Sequence, residues 1–184
     1  QSVVIPAAGG GVGSIALQLA KRAGAKVIAL ASTEEKRRMA QDLGADAVVD
    51  SGGEDLTERI LEAAAGPVHV ALEMTGGDTF HQILAAVAPR GHVAVYGYVS
   101  GELAEVPTRS LMERSITLSG FWLPHLYTDR SALPTSMRAL FAAVSSGDLR
   151  PVIGRTYGLA DASSAHRDLG TRSASGKLSL DTAG

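Results

Sequence analysis

The sequence predicts an α/β fold, a Rossmann-type doubly wound parallel six-stranded sheet followed by a short C-terminal β-α-β extension. Three observations predict it. Short runs of β-branched residues alternate with longer segments of helical period. A glycine-rich turn, Ala7-Ala8-Gly9-Gly10-Gly11-Val12-Gly13, joins the first apolar run to the first helical segment. The regular rhythm then changes after Gly147. Near-continuous apolar strands alternating with amphipathic helices require a parallel sheet covered on both faces.

The strands are expected at Val3 to Ile5, Lys26 to Ala31, Ala47 to Asp50, Val68 to Met74, His92 to Gly97 and Ile116 to Phe121. The first helix repeats Val12, Ile15, Ala16, Leu19, Ala20 and Ala23, and the fourth repeats Phe80, Ile83, Leu84 and Val87. That spacing places one apolar stripe on each helix. Gly24, Gly44 and Gly91 stand where helices should end before a strand. A helix from Ser131 to Ser146 carries Leu133, Met137, Leu140, Phe141 and Val144 on one face. The tail reads as a strand from Val152 to Tyr157, a short helix from Ala160 to Leu169 and a last strand from Lys177 to Leu180. Ser51-Gly52-Gly53 and Ser100-Gly101 read as flexible loops. Residues 1–147 are therefore expected to form one domain, and 148–184 an extension returning to a domain whose main body is missing. The start at Gln1, without Met and already inside an apolar run, reads the same way: a piece of a longer protein.

Composition removes several classes of function. The 184 residues are 45% hydrophobic and 20% charged, a globular balance. Lys and Arg number 17 against 19 Asp and Glu, a net charge of −2, which argues against coating nucleic acid or anionic membrane. No apolar run approaches the roughly 20 residues that span a bilayer. There is no cysteine, so disulfides, thiolate zinc sites and cysteine nucleophiles are excluded. His69, His81, His92, His125 and His166 lack metal-ligand spacing and read as surface or capping residues. Ser14 follows the glycines, but no Gly-Lys-Ser/Thr does, so a triphosphatase loop fails. No tyrosine has a lysine four residues on, which removes the Tyr-x-x-x-Lys acid pair.

The glycine turn carries the chemistry. Glycines between a strand and a helix let backbone N–H groups approach a pyrophosphate, and the helix N-terminus favours the anion. The strict GxGxxG spacing is not met, since Ser14 stands three after Gly11; Ala7-x-x-Gly10-x-x-Gly13 is met instead. Strand, helix and next strand fit a unit of about 30 residues, which favours dinucleotide binding over a mere tight connection. An NAD site would place Asp or Glu at the second strand end, about 20 residues past the glycines. Here that point reads Ala31-Ser32-Thr33, followed by Lys36, Arg37 and Arg38. A hydroxyl followed by cations suits the 2′-phosphate of NADPH. The plainer reading, a Ser/Thr helix cap with Glu34, Glu35, Lys36 and Arg38 on a solvated surface, is compatible with it.

With these residues in view, the sequence resembles the zinc-independent branch of the medium-chain dehydrogenase/reductase superfamily, with its quinone oxidoreductases and 2-enoyl thioester reductases. The matching text is Ala7 to Ser14, Leu17-Gln18-Leu19-Ala20-Lys21, Leu43-Gly44-Ala45-Asp46, Ala88-Pro89-Arg90-Gly91, Gly147 to Pro151 and Ser175-Gly176-Lys177. The resemblance implies that Gly10, Gly11, Val12 and Gly13 hold the pyrophosphate, Ser32 and Lys36 the 2′-phosphate, and that Ala8 also belongs to the cofactor site. It implies that Thr75 and the run Tyr96-Gly97-Tyr98-Val99 serve the cofactor, the latter on its nicotinamide side. Phe121-Trp122-Leu123 resembles the segment that meets the carboxamide, and Lys177 a late lysine that reaches the cofactor. Trp122 reads equally as core or interface packing. Two departures stand out: Ser51 and Gly52 replace an aromatic and a basic residue near the adenine, and Glu73 stands where a shorter Asp is common.

The expected function is an NADPH-dependent oxidoreductase that gives hydride to an α,β-unsaturated carbonyl small molecule, with the Phe121-Trp122-Leu123 text leaning toward an enoyl thioester. Alternatives are a quinone or enone oxidoreductase and, from another class, a non-catalytic NADPH-binding module. The catalytic residues are not identifiable, and this chain alone is expected to be inactive. The apolar run Ile116 to Leu123 at a sheet edge invites pairing with a second copy, so a homodimer is expected, in the cytoplasm.

Overall fold

A computed structural model of the chain describes residues 1–128, 130–171 and 174–183. Strands β1 (Ser2–Ile5), β2 (Lys26–Ala31), β3 (Ala47–Asp50), β4 (Val68–Glu73), β5 (Val87–Val95) and β6 (Thr117–Gly120) form a parallel six-stranded sheet in the order β3-β2-β1-β4-β5-β6. Helices α1 (Gly13–Arg22), α2 (Glu34–Asp42), α3 (Leu56–Ala64), α4 (Gly77–Ala86) and α5 (Thr108–Arg114) connect them, and α6 (Ala132–Ser145) follows β6. The tail is β7 (Ile153–Gly158), α7 (Ala162–Gly170) and β8 (Lys177–Asp181), with β7 and β8 paired in parallel as a separate ribbon. The predicted fold class is the observed one, and β2 and β3 keep their expected bounds.

Strand alternation divides the core in two. Val4, Ile28 and Leu30 point to one face and pack with Leu56, Ile60, Phe80 and Ile83 of α3 and α4. Val3, Ile5, Val27 and Ala29 point to the other, where Leu17 of α1 and Ala40 of α2 meet them. Burying each large aliphatic side chain contributes about 1.5–3 kcal/mol, so this sandwich is the main source of stability.

The stripe expected on α1 is corrected. Its buried residues are Gly13, Ser14, Leu17 and Gln18, while Val12 and Leu19 are exposed. The reason is tertiary. Glycine and serine let the helix lie close to the sheet, and Gln18 is taken inward to bind the tail. The Gln18 amide donates to the carbonyls of Ser14 and Arg150, both at 2.9 Å, and its oxygen accepts the Arg150 amide at 2.8 Å. One polar side chain thus satisfies the approach to β7 on both backbone groups.

Gly24 and Gly44 do end helices in the left-handed region, at φ 78° and 100°. Gly91 does not. It lies inside β5, where pairing jumps from Val68↔Val87 to Val70↔His92 and expels Pro89 and Arg90 as a bulge. The C-terminal carbonyls of α4 are met by Arg114, whose guanidinium donates to Leu84 at 3.1 Å, to Ala85 at 3.2 Å and to Val87. The two loops expected to be flexible are also tied down. The Arg59 guanidinium binds Asp55 at 3.0 Å and the carbonyl of Gly52, and the Ser100 amide donates to Thr75 at 2.9 Å. The face of α6 carries the expected apolar residues, yet among them Phe141 is 62% exposed, and only Ala143 of the helix is buried.

Asp46 is the polar clasp of the β2 side. Its carboxylate takes both 2.7 Å contacts from Lys21 and the Val27 amide at 2.7 Å. The Lys21 hydrogen bond, first, and the Val27 amide and nearby lysine charges hold its carboxyl below the usual carboxylate range against a partial desolvation. A depressed folded pKa stabilises the fold above the unfolded value of about 4 and is lost as pH falls through the folded one. Asp46→Asn should therefore cost about 1 kcal/mol at neutral pH, since the site is partly solvated. Urea unfolding at several pH values should show the deficit shrinking below about pH 4. A deficit that does not change with pH would remove the charge from the explanation.

Candidate functional site

The order β3-β2-β1-β4-β5-β6 reverses direction between β1 and β4, and in open α/β sheets the ligand crevice lies at such a reversal, outside the carboxyl ends of the strands. The glycine turn sits at its floor. Ala7 takes a left-handed conformation at φ 49°, the Gly10 amide turns back to the Ala7 carbonyl at 2.8 Å, and the Ser14 amide donates to Gly10 at 3.0 Å. Gly11 and Val12 are exposed at the start of α1, so this helix end faces the crevice. A Cβ on Gly10 would stand 3.2 Å from the Ala7 carbonyl oxygen. On Gly13 it would overlap that oxygen and stand 2.8 Å from its carbon and 2.9 Å from the Ala8 Cα.

These contacts divide the predicted pyrophosphate residues. Gly10, Gly11 and Val12 reach the surface. Gly13 is buried, and its lack of a side chain serves the approach of α1 to β1. Ala8 is fully buried in the core, and its amide donates to the Leu30 carbonyl at 3.0 Å.

At the end of β2, Ser32 is exposed and Thr33 caps α2, its hydroxyl accepting the Lys36 amide at 3.3 Å. Lys36 is buried, not on a solvated face. Its methylenes fill the space beside Gly9, where a Cβ would be 2.7 Å from the Lys36 Cβ and Cγ. The stem thus supports the glycine turn from the β2 side. Arg37 is drawn off to the Ala31 carbonyl at 3.1 Å and to Asp50 at 2.9 Å, and Arg38 pairs with Glu34.

The tail closes the turn from the other side. Gly176 donates its amide to the Gly9 carbonyl at 2.9 Å, Ser175 its hydroxyl to Glu35 at 3.2 Å. Lys177 lies beside the turn, its Cδ 3.5 Å from where a Gly11 Cβ would be. The sequence brought Lys177 forward only through resemblance. The tail now places it beside Gly11, next to the Gly10–Gly176 bridge.

The exits of β4 and β5 form the opposite wall. Glu73 is fully buried and its carboxylate accepts the Thr75 amide at 2.8 Å and the Thr75 hydroxyl. Tyr96 donates its amide to the Glu73 carbonyl at 2.9 Å. Burial, and second the Glu73 charge, push the Tyr96 hydroxyl up to about 12, so it remains a neutral donor at physiological pH. Gly97 packs on Met74, 3.3 Å from Cβ to Cβ if it carried one, and Tyr98 is exposed. Phe121, Trp122 and Leu123 are also exposed, Trp122 at 62%, which removes its reading as a core residue of this chain. Sequence reasoning missed the structural work of Gln18 and Asp46, and it noted Glu73 only as a departure. Only Glu73 carried a signal, an acid inside an apolar strand run; Gln18 and Asp46 carried none.

The glycine geometry sets a graded test. Gly13→Ala should distort the turn, lower thermal stability and weaken dinucleotide binding, whereas Gly11→Ala, with its nearest neighbour a lysine methylene, should leave the melting temperature within about 2 °C. Differential scanning calorimetry of the two variants checks this, and equal losses would refute the close approach at Gly13.

A family model described as zinc-binding dehydrogenase matches residues 11–142. A 2-haloacrylate reductase from Burkholderia sp is 34% identical over 97% of this chain and 54% of its own length. A quinone oxidoreductase from Pseudomonas aeruginosa is 32% identical over 98% of this chain and 56% of its own. The chain spans about half the length of these curated relatives. The crystal structure of Escherichia coli quinone oxidoreductase complexed with NADPH superposes with a TM-score of 0.90 at 32% identity, over 99% of this chain and 57% of that one. The sequence has no cysteine, and among the described residues no three His, Asp or Glu side chains are grouped to hold a metal. No helix of the described residues is long and apolar enough to cross a membrane. The strand order, the glycine turn at its reversal and these matches together show that the chain belongs to the zinc-binding dehydrogenase family, in the quinone oxidoreductase branch of the medium-chain dehydrogenase/reductase superfamily.

Proposed function

We propose that this chain is the NADPH-binding part of a reductase that acts on an α,β-unsaturated carbonyl compound. The observation that carries the reading is the side-chain-free cradle of Gly10 and Gly11 at the start of α1, open to the crevice where the sheet reverses. Gly10 to Val12 would bind the pyrophosphate, with Lys177 adding a positive charge beside it. Ser32 and Lys36 would hold the 2′-phosphate. Thr75, Tyr96, Gly97 and Tyr98 would line the nicotinamide side, and Phe121-Trp122-Leu123 would complete it. When bound, the cofactor supplies a hydride for the β-carbon of the acceptor; a proton then adds to the α-carbon. The residues of this chain orient, exclude water from one side and neutralise phosphate charge.

Residues 1–147 serve in this reading as the cofactor-binding unit, and 148–184 as the return to a catalytic unit that would hold the acceptor and the proton donor. The 2-haloacrylate reductase and the quinone oxidoreductase among the relatives support an activated double bond or a quinone as acceptor. An enoyl thioester rests only on the Phe121-Trp122-Leu123 text, and a non-catalytic NADPH-binding module is the reading from another class.

Lys36→Met decides the cofactor. It keeps the methylenes beside Gly9 and removes the charge. NADPH affinity should fall about 10- to 100-fold while NADH affinity stays within about twofold, the loss of one charged hydrogen bond. Calorimetric titration with both cofactors measures it, and equal losses would take Lys36 out of the phosphate site.

Strand β6 is the proposed seam of a homodimer. Phe121 gives its amide to the Val95 carbonyl at 2.8 Å, so by alternation the Ser119 amide also turns inward, and those of Leu118 and Gly120 face the open edge. Leu118→Pro should therefore convert a dimer to a monomer without unfolding it. Sedimentation velocity that leaves the variant dimeric would exclude this edge.

A further inference from the structure

The nicotinamide wall is built from two loops, and one buried carboxylate stands where they meet. A dinucleotide with its pyrophosphate at α1 and its phosphorylated ribose at β2 must lay its other half toward β4 and β5. The exits of those strands are laced together by backbone. Tyr96 donates to Glu73, Val99 to Met74 and Ser100 to Thr75, each at 2.9 Å, and Gly77 donates to Glu102 at 3.2 Å. Slack is small, because a Cβ on Gly76 would overlap the Glu102 carbonyl oxygen.

The rungs to Met74 and Thr75 end on the turn that leaves β4, and Glu73 shapes that turn. One carboxylate oxygen accepts the Thr75 amide at 2.8 Å and the Thr75 hydroxyl; the other faces the Gly76 amide at 3.4 Å. The side chain is fully buried. Taking a carboxylate out of water is costly and is tolerated only where donors converge on it. No phosphate-binding role uses this group. Its donors are the backbone of the loop that carries Thr75, and its own carbonyl anchors Tyr96.

We propose that Glu73 is a positioning residue for the nicotinamide half of the cofactor: its carboxylate fixes the Thr75-Gly76 turn and, through the laced backbone, the Tyr96 to Glu102 loop. The inference rests on the dinucleotide reading above. It explains the longer side chain at this position, since an aspartate, one methylene shorter, would fall short of the Thr75 and Gly76 donors. Glutamine has the right length but presents an NH2 to groups that also donate.

The test uses the full 184-residue chain with Glu73→Gln and Glu73→Asp, and isothermal titration with two ligands. One is NADPH; the other is 2′-phospho-ADP-ribose, the same molecule without its nicotinamide. Both variants should bind NADPH about tenfold more weakly, with Glu73→Asp the milder, while 2′-phospho-ADP-ribose stays within about twofold. Thermal melts accompany each variant, and Glu73→Asp decides the matter where Glu73→Gln does not fold. Equal weakening of both ligands, no weakening of either, or unfolding of both variants would overturn the inference and leave Glu73 a stability residue. Failure of the unmodified chain to bind either ligand would instead overturn the cofactor reading, and this inference with it.

Discussion

Helix α1 begins in contact with the backbone it has just left, and much of the molecule follows from that closeness. Any side chain at Gly13 would overlap the Ala7 carbonyl. Because the helix starts so near the strand, its amino end faces the crevice at the reversal of the sheet, where a positive helix end has chemical use. Two other segments close on the same turn. The Lys36 stem fills one side of Gly9, and Gly176 donates to the Gly9 carbonyl from the tail. Three stretches of chain, distant in sequence, thus fix one short loop.

Buried polar side chains do the joining. Gln18 grips Arg150 by both backbone groups, and Glu73 gathers the turn after β4. Glu73 stands at the end of β4, and Gln18 reaches from mid-helix to the backbone ahead of β7; at both places ladder partners run out. A buried backbone group without a partner costs about as much as a lost hydrogen bond, so a side chain that reaches it replaces the missing neighbour. The apolar sandwich supplies the stability, and these groups supply the registration of loops on it.

The surface away from the crevice is less finished. Strand β6 is an open edge, and Phe121, Trp122, Phe141, Ile153 and Leu169 are each at least half exposed. The chain spans about half the length of the relatives named above.

The sequence by itself determined the sheet, its parallel sense and the glycine turn, because these rest on local signals: a period of two or four, and glycines between a strand and a helix. It also marked Gly24 and Gly44 as helix ends, where a left-handed residue is a local need. It misplaced the stripe of α1, because which face is buried depends on the Arg150 backbone, 132 residues on from Gln18. It took Gly91 for a helix end, because a bulge is defined only against the neighbouring strand. It marked Ala8 by resemblance, and only the packing shows that this residue is fully buried. The laced loops around Glu73 could not be read from the chain at all. Only the pairing of two strand exits brings residues 73–77 against 96–102 and gives a buried acid its donors.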